Sequence, residues 1–597
     1  MSEHDTLVAA FQATARQHPD LVALRTPGGI VSITWAEYAR RVRAIAAGLA
    51  AVGVERGDTV GLMLTNRPEF HLVDSAALHL GALPFSVYNT SAPEQLAYVF
   101  SNAGNKVIVT ERLFVPTLRA AVPDARLVSV DGPAEGATTL AELEAGGDPD
   151  FDLDAAWRAV RPDDIATIIY TSGTTGPPKG VELTHANVMA VSGAVKAAFE
   201  LLPGDRVLSF LPSAHIADRV VSHYASILFG TVVTSVADAK QLATALPEVR
   251  PHLFFAVPRV WQKFKLAIDT ALAAEPSAAK RKIAAWAIDV GTRRVRLVEA
   301  GKSVPPTLAA QHALADKLVL SKLRARLGLA EAKVPASGAA AIPVETLEFF
   351  WAIGIPVYEI WGMSETAGLG TSGLVGRNKI GTVGTAVHGT EVRLDDDGEL
   401  LIRGPSVMRG YRDDPKRTAE TIDTDGWVHT GDIGRIDEDG FVSIVDRKKE
   451  LIISSSGKNM SPTNIENAIK AASSLIGQVV AIGDARPYIS ALVVLDQDAA
   501  AGLAVKHGLP ESSPGAVAAS DQVRTLIADA VRAGNTKLSR VEQVKRFRIV
   551  PAFWEPGGDE LTPTLKLRRK PIADKYAHDI DDLYAEAPAA ETVNLGA

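Results

Sequence analysis

Apolar residues recur at helical steps in two stretches near the N-terminus. In residues 6–17, Leu7, Ala10, Phe11 and Ala15 fall on one face, and residues 35–52 repeat the pattern. Further on, short β-rich runs at 60–64, 106–109, 166–170, 253–257 and 357–360 read as buried strands. They alternate with helical stretches, which predicts parallel sheets covered by helices on both faces.

Three segments depart from that rhythm. Residues 262–332 are helical and rich in Ala, Lys and Arg, broken at Pro305 and Pro306, as expected of an amphipathic helical insertion lying over the core. From 382 to 441 short strands alternate with Gly/Asp turns, predicting a small β-rich unit. After Asp446-Arg447-Lys448-Lys449 a compact α/β stretch begins. It has a helix near 463–472 and strands at 479–482 and 489–495, so a domain boundary is placed at about residue 447. The Ala/Glu-rich last dozen residues are expected to fray.

Composition narrows the function. The chain has 597 residues, enough for several domain-sized units, and a formal charge of −8. That acidity argues against nucleic acid as the main partner, since a duplex binder needs a dense basic face. No cysteine is present. Disulfides, a cysteine nucleophile and thiolate metal sites are thereby excluded, and the sulfur of any thioester made here comes from a partner. No signal-peptide pattern opens the chain, and no apolar run reaches the ~18 residues a transmembrane helix needs. A cytoplasmic enzyme is the expectation.

The most informative segment is Tyr170-Thr171-Ser172-Gly173-Thr174-Thr175-Gly176-Pro177-Pro178-Lys179-Gly180. A buried strand delivers a loop of hydroxyls, glycines and one lysine, groups suited to surrounding phosphates. It is not a Walker A loop, because Pro178 and Gly180 break that spacing. The string resembles the signature loop of the adenylate-forming enzymes: acyl-CoA synthetases, peptide-synthetase adenylation domains and luciferases. Further segments resemble that family's motifs in order. Ser337-Gly338-Ala339-Ala340 is similar to the segment lining the adenine site. Tyr358-Glu359-Ile360-Trp361-Gly362-Met363-Ser364-Glu365 is similar to the next, with Trp361 and Ser364 where Tyr and Thr are more usual. Thr430-Gly431-Asp432 and Arg447 resemble the ribose-binding residues. Lys449 falls at the family's interdomain hinge, and Gly457 and Lys458 lie in a loop like the one that approaches the pantetheine thiol.

The long-chain branch of acyl-CoA synthetases is resembled most closely. Residues 211–219, with His215 and Arg219, look like its acyl-pocket segment, and Pro258 and Trp261 belong to the motif that follows. Residues 561–569 look like its C-terminal ending, with Lys566 at the adenylation lysine.

The resemblance implies an α/β fold: a large N-terminal domain (1–447) of two α/β layered subdomains plus a small β-barrel-like subdomain, then a small mobile α+β C-terminal domain (448–597). It implies ATP-dependent activation of a long-chain fatty acid as acyl-AMP, then transfer to coenzyme A, with rotation of the small domain between steps. Lys566, Glu365, Thr171, Lys179 and His215 are the implied catalytic residues, and Glu365 the implied ligand of Mg²⁺ arriving with ATP. Thr171 to Gly176, Lys179, Ser337 to Ala339, Tyr358, Glu359, Trp361 to Ser364, Asp432, Arg447 and Lys566 are the implied nucleotide contacts. His215 is weighed against a structural role, and His185 and His429 are taken as neighbours of nucleotide motifs. An apolar substrate implies transient membrane contact, peripheral at the inner face; assembly is left open, a homodimer being one form. Two alternatives stay open: a fatty acyl-AMP ligase that loads a carrier protein, and an inactive ATP-binding scaffold.

Overall fold

The computed structural model describes residues 4–171, 177–453, 459–507, 513–562 and 564–596. The N-terminal part is built on two mainly parallel sheets. One runs Leu83–Ser86, Thr59–Met63, Val107–Thr110, Arg126–Ser129, Ala137–Thr139, parallel throughout. The other has nine strands, with a parallel centre that includes Arg206–Ser209, Leu253–Ala256, Val334–Gly338 and Tyr358–Trp361. Antiparallel two- and three-residue strands close both its edges. The predicted strands are present within a residue or two of their expected bounds, and the first two helices form as Leu7–Gln17 and Trp35–Ala51. Thr6 and Thr34 cap those helices through their side-chain oxygens.

The expectation of parallel pairing fails at Ile165–Thr171. This strand leaves the parallel sheets and forms an antiparallel hairpin with Lys179–Thr184, joined at its far edge by Gly410–Tyr411. Only seven residues separate Thr171 from Lys179, too few for a parallel crossover. The β-rich unit is a four-stranded antiparallel sheet of Glu391–Leu394, Glu399–Arg403, Val428–Ile436 and Val442–Arg447.

The small domain carries a sheet ordered Ile476–Ile482, Ile489–Leu495, Val544–Ile549, Thr592–Asn594. Its last strand corrects the expected fraying of the C-terminus: Thr592–Asn594 pairs antiparallel with Val544–Ile549, and the Thr592 hydroxyl donates to Asp582 at 2.7 Å. Sheet pairing outweighs the local composition of that tail.

A polar seam lies between the two large-domain sheets. Arg219, fully buried, reaches Asp74 at 2.6 Å, and His223 Nε2 lies 2.9 Å from the other oxygen of the same carboxylate. Burial alone would raise the Asp74 pKa, but Arg219 and His223 bring it below the ordinary value. Arg219 also donates to Ser213 O and Ser86 Oγ, so its guanidinium is committed within the protein. Beside it, Asp218 accepts from Ser209 and Ser222 hydroxyls, yet burial pushes its pKa from 3.8 up to about 7.

Asp218 makes a pH prediction. Between the unfolded value of 3.8 and the folded value of about 7 the native state holds an extra proton, so this residue's contribution to stability falls as pH rises through that window. Asp218→Asn cannot ionise. Its stability relative to the native protein should rise by on the order of 4 kcal/mol between pH 4 and pH 8 in urea titrations. A pH-independent difference would refute the shift.

Candidate active site

The hairpin sets the posts of the phosphate-type loop. Thr171 and Lys179 are direct antiparallel partners, so the two ends of the hairpin stand side by side. The expected contacts Ser172, Gly173, Thr174, Thr175 and Gly176 lie outside the described residues, as do Gly457 and Lys458. Tyr170 is pinned by its hydroxyl, which donates to Asn102 at 2.8 Å.

Lys179 and Glu365 are joined through a residue the sequence reading missed. The Lys179 ammonium lies over the Tyr411 ring, 5.1 Å from its centre, and the Tyr411 hydroxyl donates to Glu365 Oε1 at 2.6 Å. Tyr411 belongs to a two-residue strand, too short for a periodicity signal. Burial pulls the Lys179 pKa below its ordinary value; Glu365 opposes this, while the charges of Arg417 and Lys449 add to it. Glu365 is buried, and among the described residues its Oε2 has no hydrogen-bond donor. A buried carboxylate with one oxygen free, beside a phosphate-type loop, fits a ligand of a hard divalent cation.

The nucleotide-type motifs line up on neighbouring parallel strands. Ser337 and Gly338 end one strand, with Ala339 just beyond it, and Tyr358, Glu359 and Trp361 lie on the next, with Ser337 opposite Glu359. The chain turns sharply after each. Ala339 takes a left-handed φ of 69°, and a Cβ on Gly362 would stand 2.6 Å from Gly368 O. Ser337 Oγ and Glu359 Oε2 are buried without partners, and burial raises the Glu359 pKa to about 8. Met363 and Ser364 lead into the short helical turn Ser364–Thr366, which carries Glu365.

Trp361 has a role a tyrosine would not fill in the same way. Its indole N–H donates to Asp432 Oδ2 at 2.7 Å, while Arg447 Nε binds Asp432 Oδ1 at 2.7 Å. Both oxygens of this buried carboxylate are thereby fixed. Burial raises its pKa, and Arg447, Trp361 and Lys566 lower it again, with burial prevailing.

Lys566 arrives from the small domain. Thr562 and Lys566 clasp each other, Thr562 N donating to Lys566 O at 2.8 Å and Lys566 N to Thr562 Oγ1 at 3.0 Å. Leu565 takes a left-handed φ of 65° to close this turn. The residue is exposed, and its ammonium lies within electrostatic reach of Arg447, Asp432, Glu450 and Glu365. Desolvation and the charge of Arg447 lower its pKa, against Asp432, Glu450 and Glu365. His215 is within reach of the same lysine: burial, then Lys566, lowers its pKa to about 4. Its Nδ1 accepts from Ala217 N at 3.1 Å, so the ring is a neutral helix cap there.

The structure thus brings together Lys179, Glu365, Asp432, Arg447, His215 and Lys566. It does not bring Arg219, Pro258 or Trp261 to that group. All three are buried in packed protein, Arg219 on Asp74 and Trp261 donating to Ala336 O behind the strand that carries Ser337. His185 is structural: its Nδ1 accepts from Leu7 N at 3.2 Å. His429, Asp395 and Glu399 have ligand atoms within 4.8 Å of one another, but Glu399 is already held by Gly431 N and Lys448.

The site makes a chemical prediction. The lowered pKa of Lys566 leaves more free amine at pH 8 than at Lys448, whose pKa is raised by hydrogen bonds to Asp397 and Glu399. With a limiting amine-acylating reagent, peptide mass spectrometry should find Lys566 modified several-fold faster than Lys448; the opposite ranking would overturn the assignment of its environment.

Comparison with known proteins agrees with this geometry. The model of the AMP-binding enzyme family matches residues 11–412, and that of the AMP-binding enzyme C-terminal domain matches 449–588. fadD11 of Mycobacterium tuberculosis, named for fatty-acid–CoA ligation, is 53% identical over 453 residues, covering 76% of this chain and 79% of its own. The long-chain-fatty-acid–CoA ligase FadD15 of the same organism is 36% identical over 595 residues, covering 98% of each. Among solved structures, the anthranilate CoA ligase AuaEII with anthranoyl-AMP superposes with a TM-score of 0.71 at 18% identity, covering 96% of this chain and 97% of the other, a likeness of fold. The chain belongs to the AMP-binding enzymes, as an adenylate-forming acyl-CoA synthetase.

Proposed function

We propose that this chain activates long-chain fatty acids as acyl-AMP and transfers them to coenzyme A. The observation that carries the reading is the convergence of Lys566, from the small domain, on Asp432, Arg447, Glu365 and His215 of the large one. The relatives' names supply the acid and the acceptor.

In the first step a carboxylate oxygen attacks the α-phosphorus of ATP. An O–P bond forms, the bond to the β-phosphate bridging oxygen breaks, and pyrophosphate leaves with the electron pair. Two anions must meet, and the cations Lys179 and Lys566 lower that cost. Glu365 would hold Mg²⁺, which supplies further positive charge on the phosphates. Asp432 accepts from the ribose hydroxyls, and Arg447 keeps it ionised and oriented. Ser337, Glu359 and Trp361 border the adenine, while Thr171 and the loop after it wrap the phosphates. In the second step the CoA sulfur attacks the acyl carbonyl, a C–S bond forms, AMP leaves, and the thiol proton passes to AMP or solvent. His215 lines the acyl end, backed by Arg219, Pro258 and Trp261. Gly457 and Lys458 serve the thiol path. The enzyme is placed in the cytoplasm with transient membrane contact.

The test is a product assay with Mg-ATP and palmitate, with and without CoA. CoA-dependent palmitoyl-CoA and AMP are expected; acyl-AMP accumulating regardless of CoA would indicate a carrier-loading ligase. Lys566→Ala should slow pyrophosphate exchange by about 10²–10³-fold, while transfer from preformed acyl-AMP survives. Exchange at full rate would remove Lys566 from the mechanism.

Rotation about Lys449 between steps must part the contacts that hold the small domain here. Arg259, beside Pro258, forms an ion pair with Asp496 of the small domain, and Lys537 pairs with Glu345 at 2.5 Å. Arg259→Asp or Asp496→Arg alone should slow adenylate formation about tenfold without slowing thioester transfer, and the double exchange should restore it. Equal loss in both half-reactions would show a general structural role instead.

A further inference from the structure

We propose that the outer face of the helix Pro306–Arg326 docks on an anionic phospholipid leaflet. The inference rests on the fatty-acid reading for its purpose, though not for its test. The helix is continuous: Pro306–Ala315, a π-turn Asp316–Leu320, then Ser321–Arg326. Its inner side buries Leu308, Ala315 and Leu320. On its outer side Leu314 and Leu318 stand 51% and 43% exposed, where an ordinary solvated helix would place polar residues. Lys317, Lys322 and Arg326 are exposed on the same helix, and among the described residues no carboxylate pairs with them. The one acidic residue of the helix, Asp316, is half-buried and bound to Arg324 at 2.7 Å.

The surrounding segment has the same character. Residues 258–326 hold fourteen lysines and arginines against five carboxylates, in a chain whose net charge is −8. Positive charge is thus concentrated on one helical unit of an otherwise acidic protein, as net charge alone would not require. Two leucines one turn apart, flanked by unpaired cations, match what an interfacial helix presents to a leaflet. The leucines enter the acyl boundary and the cations meet phosphates, each Lys or Arg contributing an attraction that falls off within a Debye length. No helix among the described residues is long and apolar enough to cross a membrane, so contact by this helix is peripheral. A water-insoluble acid stored in a leaflet would then be met where it resides.

The experiment is sedimentation of the full-length protein with vesicles of phosphatidylcholine, or of equal parts phosphatidylcholine and phosphatidylglycerol. Binding to the anionic vesicles should exceed binding to the neutral ones at least tenfold and weaken at about 0.5 M NaCl. K317E/K322E/R326E should abolish the preference, and L314S/L318S should weaken binding at least threefold. Both variants should retain the native unfolding temperature and full activity on a water-soluble acid. The proposal is overturned if the native protein fails to sediment with anionic vesicles, or if both variants bind as well as native. Soluble polyglutamate bound as tightly as vesicles, with the leucine variant unaffected, would also overturn it and would point to an acidic protein partner. Vesicle binding without ligase activity would leave the docking face standing and remove only the fatty-acid reading.

Discussion

The Lys566 ammonium set among carboxylates is the interaction on which the site depends. Desolvation and Arg447 disfavour its charge, while Asp432, Glu450 and Glu365 favour it. The lysine is carried on the C-terminal domain and reaches those groups through a turn clasped by Thr562. In the proposed reaction this cation serves two anions that repel each other, so its position sets the potential they meet.

Two of the carboxylates near that lysine have partners of their own. Trp361 and Arg447 each bind one oxygen of Asp432, and Tyr411 holds one oxygen of Glu365 while its ring supports Lys179. Behind these residues, the buried Arg219–Asp74 pair joins the helical turn Arg219–Tyr224 to the helix Pro68–His79. Two charges at zero exposure are costly unless their partners are complete, and here Ser213 O and Ser86 Oγ accept from the same guanidinium.

Charge is also segregated on a larger scale. The acidic balance of the chain conceals a basic helical unit between 258 and 326, and whole-chain statistics average the two away. One end of that unit reaches the small domain through Arg259 and Asp496, and its other helices present leucine and lysine outward.

Local pattern was enough to find the strands and helices of the large domain, because buried runs and helical faces are set by the side chains of consecutive residues. The order of motifs was enough to mark Lys179, Glu365, Asp432, Arg447 and Lys566, since their neighbours in sequence are turns and strand ends with few alternatives. Sequence did not show that Ile165–Thr171 would fold back antiparallel, or that Thr592–Asn594 would be a sheet strand; both depend on partners distant along the chain. Nor could it show that Arg219 is bound to a carboxylate 145 residues away, or find Tyr411 in a two-residue strand. Sequence determined which groups the protein owns and the local shape that carries each. Only tertiary structure decided which of them share a cleft and which are spent on one another, because hydrogen bonds and burial act between atoms close in space, whatever their separation along the chain.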